Sequence, residues 1–159
     1  MIVFDLDGTI ANVDARRKAA DEAQAPYPSN ERQAWWTTRQ APENILKLDV
    51  PNELLVSVLR DWRERGKHIT IVSARNDKNR AVTEEWLANW GIHYDALYMR
   101  KDGDYRRDSV FKQELLDNIR KGGDDLIERV YDDRNQVVDM WRANGIDCIQ
   151  VVPREQGEF

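Results

Sequence analysis

The stretch IVFDLDGT, residues 2–9, opens the chain with a short apolar run, followed by two acids two positions apart, a glycine and a hydroxyl. The apolar residues predict a short buried strand, so that Asp5 and Asp7 fall where the chain leaves it. In open α/β sheets, the carboxyl ends of the strands carry the functional site. The pattern therefore indicates a pair of carboxylates in which one attacks a substrate and the other transfers protons.

The two residues after these acids suit the binding of an anion. Gly8 permits a tight backbone turn against a ligand, and the hydroxyl of Thr9 can donate a hydrogen bond. The alternative interpretation is an acidic turn without a ligand, in which Gly8 only supplies the positive φ that the turn needs. The rest of the sequence decides between the two.

Length and composition describe one globular domain. The chain has 159 residues, 41% hydrophobic and 33% charged, which is enough to bury a single core. No apolar stretch approaches the roughly 20 residues of a membrane span, and a signal-peptide pattern is absent, so we expect no membrane contact and a cytoplasmic location. The formal net charge of −5 argues against broad binding of DNA but leaves room for a local basic pocket.

Strand and helix patterns alternate along the chain with short connections. Strands are predicted at residues 2–4, 68–72, 96–99, 127–131 and 147–152. Helices are predicted at residues 52–65, 79–90, 109–120 and 136–144. Repeated strand–helix units imply an α/β fold with a mainly parallel, Rossmann-like sheet and helices on both faces. We expect residues 1–159 to form a single domain.

Residues 12–50 interrupt this alternation directly after the first strand. They contain a helical pattern at residues 14–23 and a pair of tryptophans between proline breaks. An insertion at this point would lie over the strand ends as a small helical cap, where it can contact substrate. Trp35 and Trp36 have two interpretations, packing of the cap onto the main domain or stacking on a nucleobase, and we favour packing.

Charged clusters lie near the ends of the other predicted elements. Ser73 and Arg75 follow the second strand with a hydroxyl and a guanidinium that can hold a phosphate. Lys112 lies near the start of the third main helix and adds a positive charge. The fourth strand ends in the adjacent acids Asp132 and Asp133, which repel each other unless a cation lies between them. They suit a Mg²⁺ ion shared with the first acid of the opening motif.

Each cluster alone is typical of a solvated loop or a helix cap, but their order along the chain is more specific. It resembles the four-motif signature of the haloacid dehalogenase superfamily, here DLDGT at 5–9, VSAR at 72–75, a lysine at 112 and YDDRNQVVDMW at 131–141. The stretches GDYRRD at 103–108 and DRNQVVDMWR at 133–142, with Arg16, are similar to the 3′-phosphatase domain of phage-type polynucleotide kinase/phosphatase. The resemblance covers nearly the whole chain and implies a haloacid dehalogenase-like fold.

The resemblance implies catalytic roles for individual residues. Asp5 matches the nucleophile, which takes the phosphoryl group as an aspartyl-phosphate, and Asp7 matches the general acid and base. Ser73, Arg75 and Lys112 match the groups that hold and neutralise the phosphate.

The resemblance also implies a metal site and a substrate site. The expected Mg²⁺ ligands are Asp5, Asp7, Asp132 and Asp133. Arg16 and Asp108 match positions that serve the reaction. Arg106 and Arg107 flank the predicted site in an acidic protein and can bind a polynucleotide end. The alternative interpretation is that they are solvated loop charges without a ligand. The expected substrate-binding residues are therefore Thr9, Arg16, Asp108, Arg106 and Arg107.

The function that the resemblance implies is a Mg²⁺-dependent phosphoric monoester hydrolase that removes the 3′-phosphate from RNA or DNA ends during nucleic-acid repair. A separate kinase or ligase would be its partner. The sequence contains no GxxxxGK[ST] phosphate loop, so we expect no 5′-kinase activity. In the second motif, Ala74 stands where this family commonly has glycine.

Two other functions stay open at this point. One is a nucleotidase of the same superfamily, with the same chemistry but a closed cap, which would act on mononucleotides. The other is a non-catalytic module that binds a phosphate or a metal. The presence of Asp5, Asp7, Lys112 and Asp132 argues against the module, because a decayed site is expected to lose at least one of them.

Overall fold

The computed structural model describes residues 1–28, 30–123 and 126–151. Its strands are β1 (Ile2–Asp5), β2 (Ala11–Asn12), β3 (Val50–Pro51), β4 (Ile69–Asn76), β5 (Ala96–Arg100), β6 (Arg129–Asp132) and β7 (Cys148–Gln150). Its helices are α1 (Asp14–Gln24), α2 (Gln33–Gln40), α3 (Pro42–Leu48), α4 (Glu53–Glu64), α5 (Arg80–Asn89), α6 (Asp108–Lys121) and α7 (Asn135–Ala143). Residue 152, the last of the predicted fifth strand, lies outside the described residues.

The central sheet has five strands among the described residues, in the order β5-β4-β1-β6-β7, and each pairing is parallel. The opening strand β1 therefore lies in the middle of the sheet, between β4 and β6. The register pairs Asp5 with Val72 on one side and Phe4 with Tyr131 on the other. Because all these strands run the same way, the residues that follow β1, β4 and β6 meet at one edge of the sheet.

Both faces of the sheet are buried, which explains why β1 is a continuous apolar run rather than an alternating one. Alternate residues of β1 point to opposite faces. Phe4 joins the cluster that contains Leu59 and Trp86 of α4 and α5, whereas Val3 joins the cluster that contains Trp141 of α7. Full burial of a side chain of this size stabilises the fold by about 1.5–3 kcal/mol. The predicted α/β sheet with helices on both faces is confirmed.

Three helices, α1 to α3, lie between the two strands of a small antiparallel ribbon. This ribbon pairs Ala11 with Pro51 and Asn12 with Val50, so the chain leaves and re-enters the main domain at one point. We call residues 13–49 the cap. Helix α1 begins where the sequence pattern predicts it and ends at Gln24.

The two tryptophans of α2 have different surroundings. Trp35 is buried, and its indole N–H donates a 2.7 Å hydrogen bond to Asp21 of α1, so it packs inside the cap. Trp36 is 51% exposed. Trp35 thus packs within the cap rather than onto the main domain, and about half of the Trp36 side chain is open to solvent. Within the described ranges, no helix is long and apolar enough to cross a membrane.

Candidate active site

Three buried acids meet at the carboxyl edge of the sheet. Asp5 ends β1, Asp132 ends β6, and Asp133 follows it. One carboxylate oxygen from each lies within 4.8 Å of the other two. Lys112 reaches this cluster from α6, and its ammonium group donates 2.6 Å hydrogen bonds to both Asp5 and Asp132. Two of the three acids thus share one lysine.

The electrostatics of the cluster follow from burial. Burial raises the pKa of Asp5 well above its usual range; Asp132 and Asp133 raise it further, and Lys112 opposes them. Burial alone would lower the pKa of Lys112, but the attraction of Asp132 and Asp5 outweighs burial and raises it. Lys112 therefore remains an ammonium ion at neutral pH.

The donor set of this cluster fits Mg²⁺. Carboxylate oxygens are the ligands that this ion prefers, and three adjacent acids with one lysine leave negative charge to be neutralised. Asp5, Asp132 and Asp133 are the residues that would hold it. The fourth ligand expected from the sequence, Asp7, does not contribute a carboxylate oxygen to this group.

The carboxylate of Asp7 instead faces three arginines. Arg75 of β4 donates a 2.7 Å hydrogen bond from Nε to Asp7, and Arg16 of α1 donates bonds of 3.1 and 3.2 Å. A guanidinium nitrogen of Arg39 of α2 lies 3.7 Å away. Burial alone would raise the pKa of Asp7, but Arg75, Arg16 and Arg39 outweigh it and hold that pKa well below its usual range.

A second buried acid, Asp49, ties two of these arginines together. Its carboxylate accepts a 2.7 Å hydrogen bond from Nε of Arg16 and a 2.6 Å bond from Nη2 of Arg75. The backbone carbonyl of Asp49 accepts a 3.0 Å hydrogen bond from the Trp86 indole of α5. Because Asp49 lies where the cap returns to the main domain, it links Arg16 of the cap to Arg75 of the sheet. Sequence analysis missed Asp49.

Ser73 and Thr9, both predicted to contact phosphate, are fully buried. The Ser73 hydroxyl accepts a 3.2 Å hydrogen bond from the backbone N–H of Arg75. The Thr9 hydroxyl has no hydrogen-bond partner among the described residues. Neither residue is among those that line the pocket described below.

The remaining predicted substrate-binding residues lie at the start of α6. Asp108, the first residue of the helix, pairs with Arg100 and Arg134. Arg106 is half exposed and is paired with two acids, Asp104 and Glu114, each at 2.7 Å. Arg107 is exposed and precedes the helix.

A pocket of about 350 Å³ opens between the cap and the edge of the sheet. Eight arginines and three aspartates contribute to its walls, so it is strongly basic in a chain whose net charge is −5. Its aromatic residues are Trp35, Trp36 and Tyr105. Its charged residues are Asp5, Asp7, Arg17, Arg32, Arg39, Arg75, Arg100, Arg106, Arg107, Asp108 and Arg134. The sequence allowed for a local basic pocket despite the negative net charge, and the structure contains one.

Comparison with known proteins identifies the family. The model of the family described as polynucleotide kinase PNKP phosphatase domain matches residues 29–159. This chain belongs to that family. It is a phosphatase domain of the haloacid dehalogenase type, as its motifs suggested.

Similar solved structures agree with this assignment. A structure of a Pnkp1/Rnl/Hen1 complex matches with 30% identity and a TM-score of 0.72, over 99% of this chain and 46% of that one. A second, of the Pnkp1/Rnl/Hen1 RNA repair complex, matches with the same identity and TM-score over 98% of this chain and 43% of that one. This phosphatase domain thus spans less than half the length of those chains. A haloacid dehalogenase-like hydrolase from Streptococcus pneumoniae shares the fold at 15% identity and a TM-score of 0.68, over 95% of this chain and 83% of that one.

Proposed function

We propose that this phosphatase domain removes the 3′-phosphate from RNA or DNA ends with Mg²⁺ as cofactor. The observation that carries the proposal is the arginine-lined pocket, which has Asp5 and Asp7 in its wall and the acid cluster with Lys112 beside it. A phosphate dianion cannot approach a carboxylate unless cations offset the repulsion. The pocket supplies such cations at the point where the nucleophile lies.

The reaction proceeds in two displacements. Asp5 attacks the phosphorus atom, the bond from phosphorus to the 3′-oxygen breaks, and Asp7 gives that oxygen a proton. Asp7 then takes a proton from water, which attacks the aspartyl-phosphate, releases inorganic phosphate and restores Asp5. When bound, Mg²⁺ supplies positive charge that favours the approach of the phosphate. Lys112 holds Asp5 in place by a 2.6 Å hydrogen bond.

Asp7 is ionised in the arrangement described here, because guanidinium groups surround it. A phosphate in the pocket competes with Asp7 for the same N–H donors. Once Arg75 and its neighbours have turned towards the phosphate, the pKa of Asp7 rises and its carboxylate takes up a proton from solvent, which it can then give to the leaving 3′-oxygen. Asp7 can therefore act as a general acid only when substrate occupies the pocket.

Exposed aromatic residues support a polynucleotide as the substrate. Trp36 is 51% exposed and Tyr105 is 90% exposed, and both contribute to the wall of the basic pocket. Proteins that hold single strands combine cationic side chains for the backbone with aromatic faces for the bases. The similar structures named above are complexes of Pnkp1 with Rnl and Hen1, one of them named an RNA repair complex, which supports a role beside a separate kinase or ligase.

The proposal is tested by phosphate release with Mg²⁺ from 3′-phosphorylated RNA and DNA oligonucleotides, compared with 3′- and 5′-mononucleotides. We expect kcat/KM to be at least about tenfold higher for an oligonucleotide, because stacking one base contributes about 1–3 kcal/mol. Equal or faster hydrolysis of mononucleotides would favour the nucleotidase. No release from any of these substrates, in a folded protein, would contradict phosphatase function.

The stacking role is tested by Trp36→Ala. We expect KM for a 3′-phosphorylated oligonucleotide to rise about tenfold, because one aromatic face for a base is lost. Hydrolysis of a small aryl phosphate, which has no base to stack there, should change less than about twofold. The matched control is Trp90→Ala, a change at a tryptophan that is 43% exposed and lies outside the pocket. If Trp36→Ala slows both substrates equally, Trp36 supports the cap and does not bind a base.

A further inference from the structure

The three arginines around Asp7 differ in how their donors are used. Arg16 donates to Asp49 from Nε, to the backbone carbonyl of Arg39 from Nη1 at 2.7 Å, and to Asp7 from Nη2. Arg75 donates to Asp7 and Asp49, and its Nη1 donates to Thr83 at 3.4 Å. Every nitrogen of these two guanidinium groups therefore has a partner within the protein.

Arg39 is different. Its Nη2 lies 3.7 Å from Asp7, beyond hydrogen-bond length, and its buried Nη1 has no hydrogen-bond partner among the described residues. The residue is only 6% exposed, and its guanidinium lies 5.2 Å from the centre of the Trp35 ring. Burial lowers the pKa of Arg39 to about 10, with Arg16 adding to the effect and Asp7 opposing it. A buried cation with an unused donor costs stability unless something pairs with it.

The position of Arg39 indicates what that partner is. Arg39 contributes to the pocket wall together with Asp5 and Asp7. Around Asp7 and Asp49, three guanidinium groups face two carboxylates, which leaves one positive charge in excess. The unused N–H groups and the excess charge belong to the same residue. An anion with several acceptor oxygens is the ligand that satisfies both.

We propose that Arg39 is a phosphate-binding residue of the reaction, whose free guanidinium N–H donates to an oxygen of the transferred phosphate. The assignment rests on the proposed phosphatase function. It gives the cap a direct part in the chemistry, because Arg39 comes from α2 and contributes to the pocket wall. Arg16 and Arg75 have partners within the protein until they turn towards the phosphate, whereas Arg39 already has an unused donor for it.

The test is Arg39→Gln, with Arg39→Lys as the variant that keeps the charge. We expect Arg39→Gln to lower kcat/KM about 100-fold for a 3′-phosphorylated oligonucleotide and for a small aryl phosphate alike, since both present the same phosphate and one transition-state donor is lost. Arg39→Lys should recover part of this loss. The control is Arg65→Gln, which removes an exposed arginine that follows α4 and lies 5.3 Å from the centre of the Trp62 ring.

Stability and ligand binding separate this role from a structural one. The hydrogen bond from Arg16 goes to the backbone of Arg39, so the side-chain change leaves it in place. We therefore expect the Tm of Arg39→Gln to stay close to that of the wild type. The affinity for inorganic phosphate in the presence of Mg²⁺, followed through tryptophan fluorescence, should fall at least about tenfold.

The outcomes distinguish the two proposals. If the wild type releases phosphate and Arg39→Gln retains wild-type kcat/KM and phosphate affinity, the role of Arg39 is overturned and phosphatase function stands. The same holds if activity falls only together with Tm. If the wild type binds phosphate but hydrolyses no substrate, and the variant loses that binding, phosphatase function is overturned and Arg39 remains a phosphate ligand.

Discussion

Asp5→Asn is expected to abolish phosphate release, with kcat at least about 1000-fold below the wild type. The amide is nearly the same size as the carboxylate but is a poor nucleophile, so the covalent step fails. The fold should survive, because β1 keeps its pairing and Lys112 keeps its 2.6 Å hydrogen bond to Asp132. The measurement is the initial rate on an oligonucleotide 3′-phosphate and on an aryl phosphate, beside the Tm of each protein.

Asp147→Asn is the matched control for this substitution. Asp147 is exposed and pairs with Arg129 at 2.8 Å, outside the residues that line the pocket. We expect its rate to equal that of the wild type. If Asp5→Asn kept a rate within tenfold of the wild type, another group would have to be the nucleophile.

The sequence predicted the sheet and most helices because their signals are local. The apolar run of β1 and the 3.6-residue periodicity of α4 to α7 place these elements within one or two residues of their observed bounds at most ends. The second strand is the main exception. It continues to Asn76, four residues beyond the predicted end, because Ser73 and Asn76 pair with Met99 and Arg100 of β5. Such a pairing between distant segments has no local signal.

In the site, too, the residues with a local sequence signal could be predicted and those brought together only by the fold could not. Asp5 and Asp132 could be grouped from the sequence because parallel strands bring their carboxyl ends together. Lys112, on a helix, could be added to them only through the order of the four motifs. Asp49 and Arg39 could not, because each is an isolated charge in the cap. Asp49 meets Arg75 across 26 positions of the chain, and only the folded ribbon of β2 and β3 brings the two together.

The surroundings of Asp7 show a further limit of motif reasoning. The resemblance to the haloacid dehalogenase superfamily implied that Asp7 is a Mg²⁺ ligand as well as the general acid and base. The arginines that face it come from α1, α2 and β4, three elements whose convergence the motif does not encode. Opposite charges at this distance compete with a metal for the carboxylate. The two acids of the opening motif therefore face different partners, Lys112 for Asp5 and guanidinium groups for Asp7.

Removal of Mg²⁺ by excess EDTA is expected to lower the rate of phosphate release by at least about 100-fold, and added Mg²⁺ is expected to restore it. Asp5, Asp132 and Asp133 place carboxylate oxygens within 4.8 Å of one another, and Lys112 donates 2.6 Å hydrogen bonds to the first two of them. An incoming phosphate dianion adds to this negative charge, so a further cation is needed. Rates measured on an aryl phosphate over a series of Mg²⁺ concentrations provide the test.

Asp133→Asn tests whether the required Mg²⁺ binds to the acid cluster. Loss of one of three carboxylates weakens the site for a divalent cation, so the variant should need about tenfold or more Mg²⁺ to reach half of its maximal rate. Asp139→Asn, a change at an exposed acid on α7, should need the same concentration as the wild type. A full rate in excess EDTA would contradict the metal requirement. An unchanged Mg²⁺ dependence in Asp133→Asn would place the ion on other ligands, because a carboxylate that holds Mg²⁺ cannot be neutralised without weakening its binding.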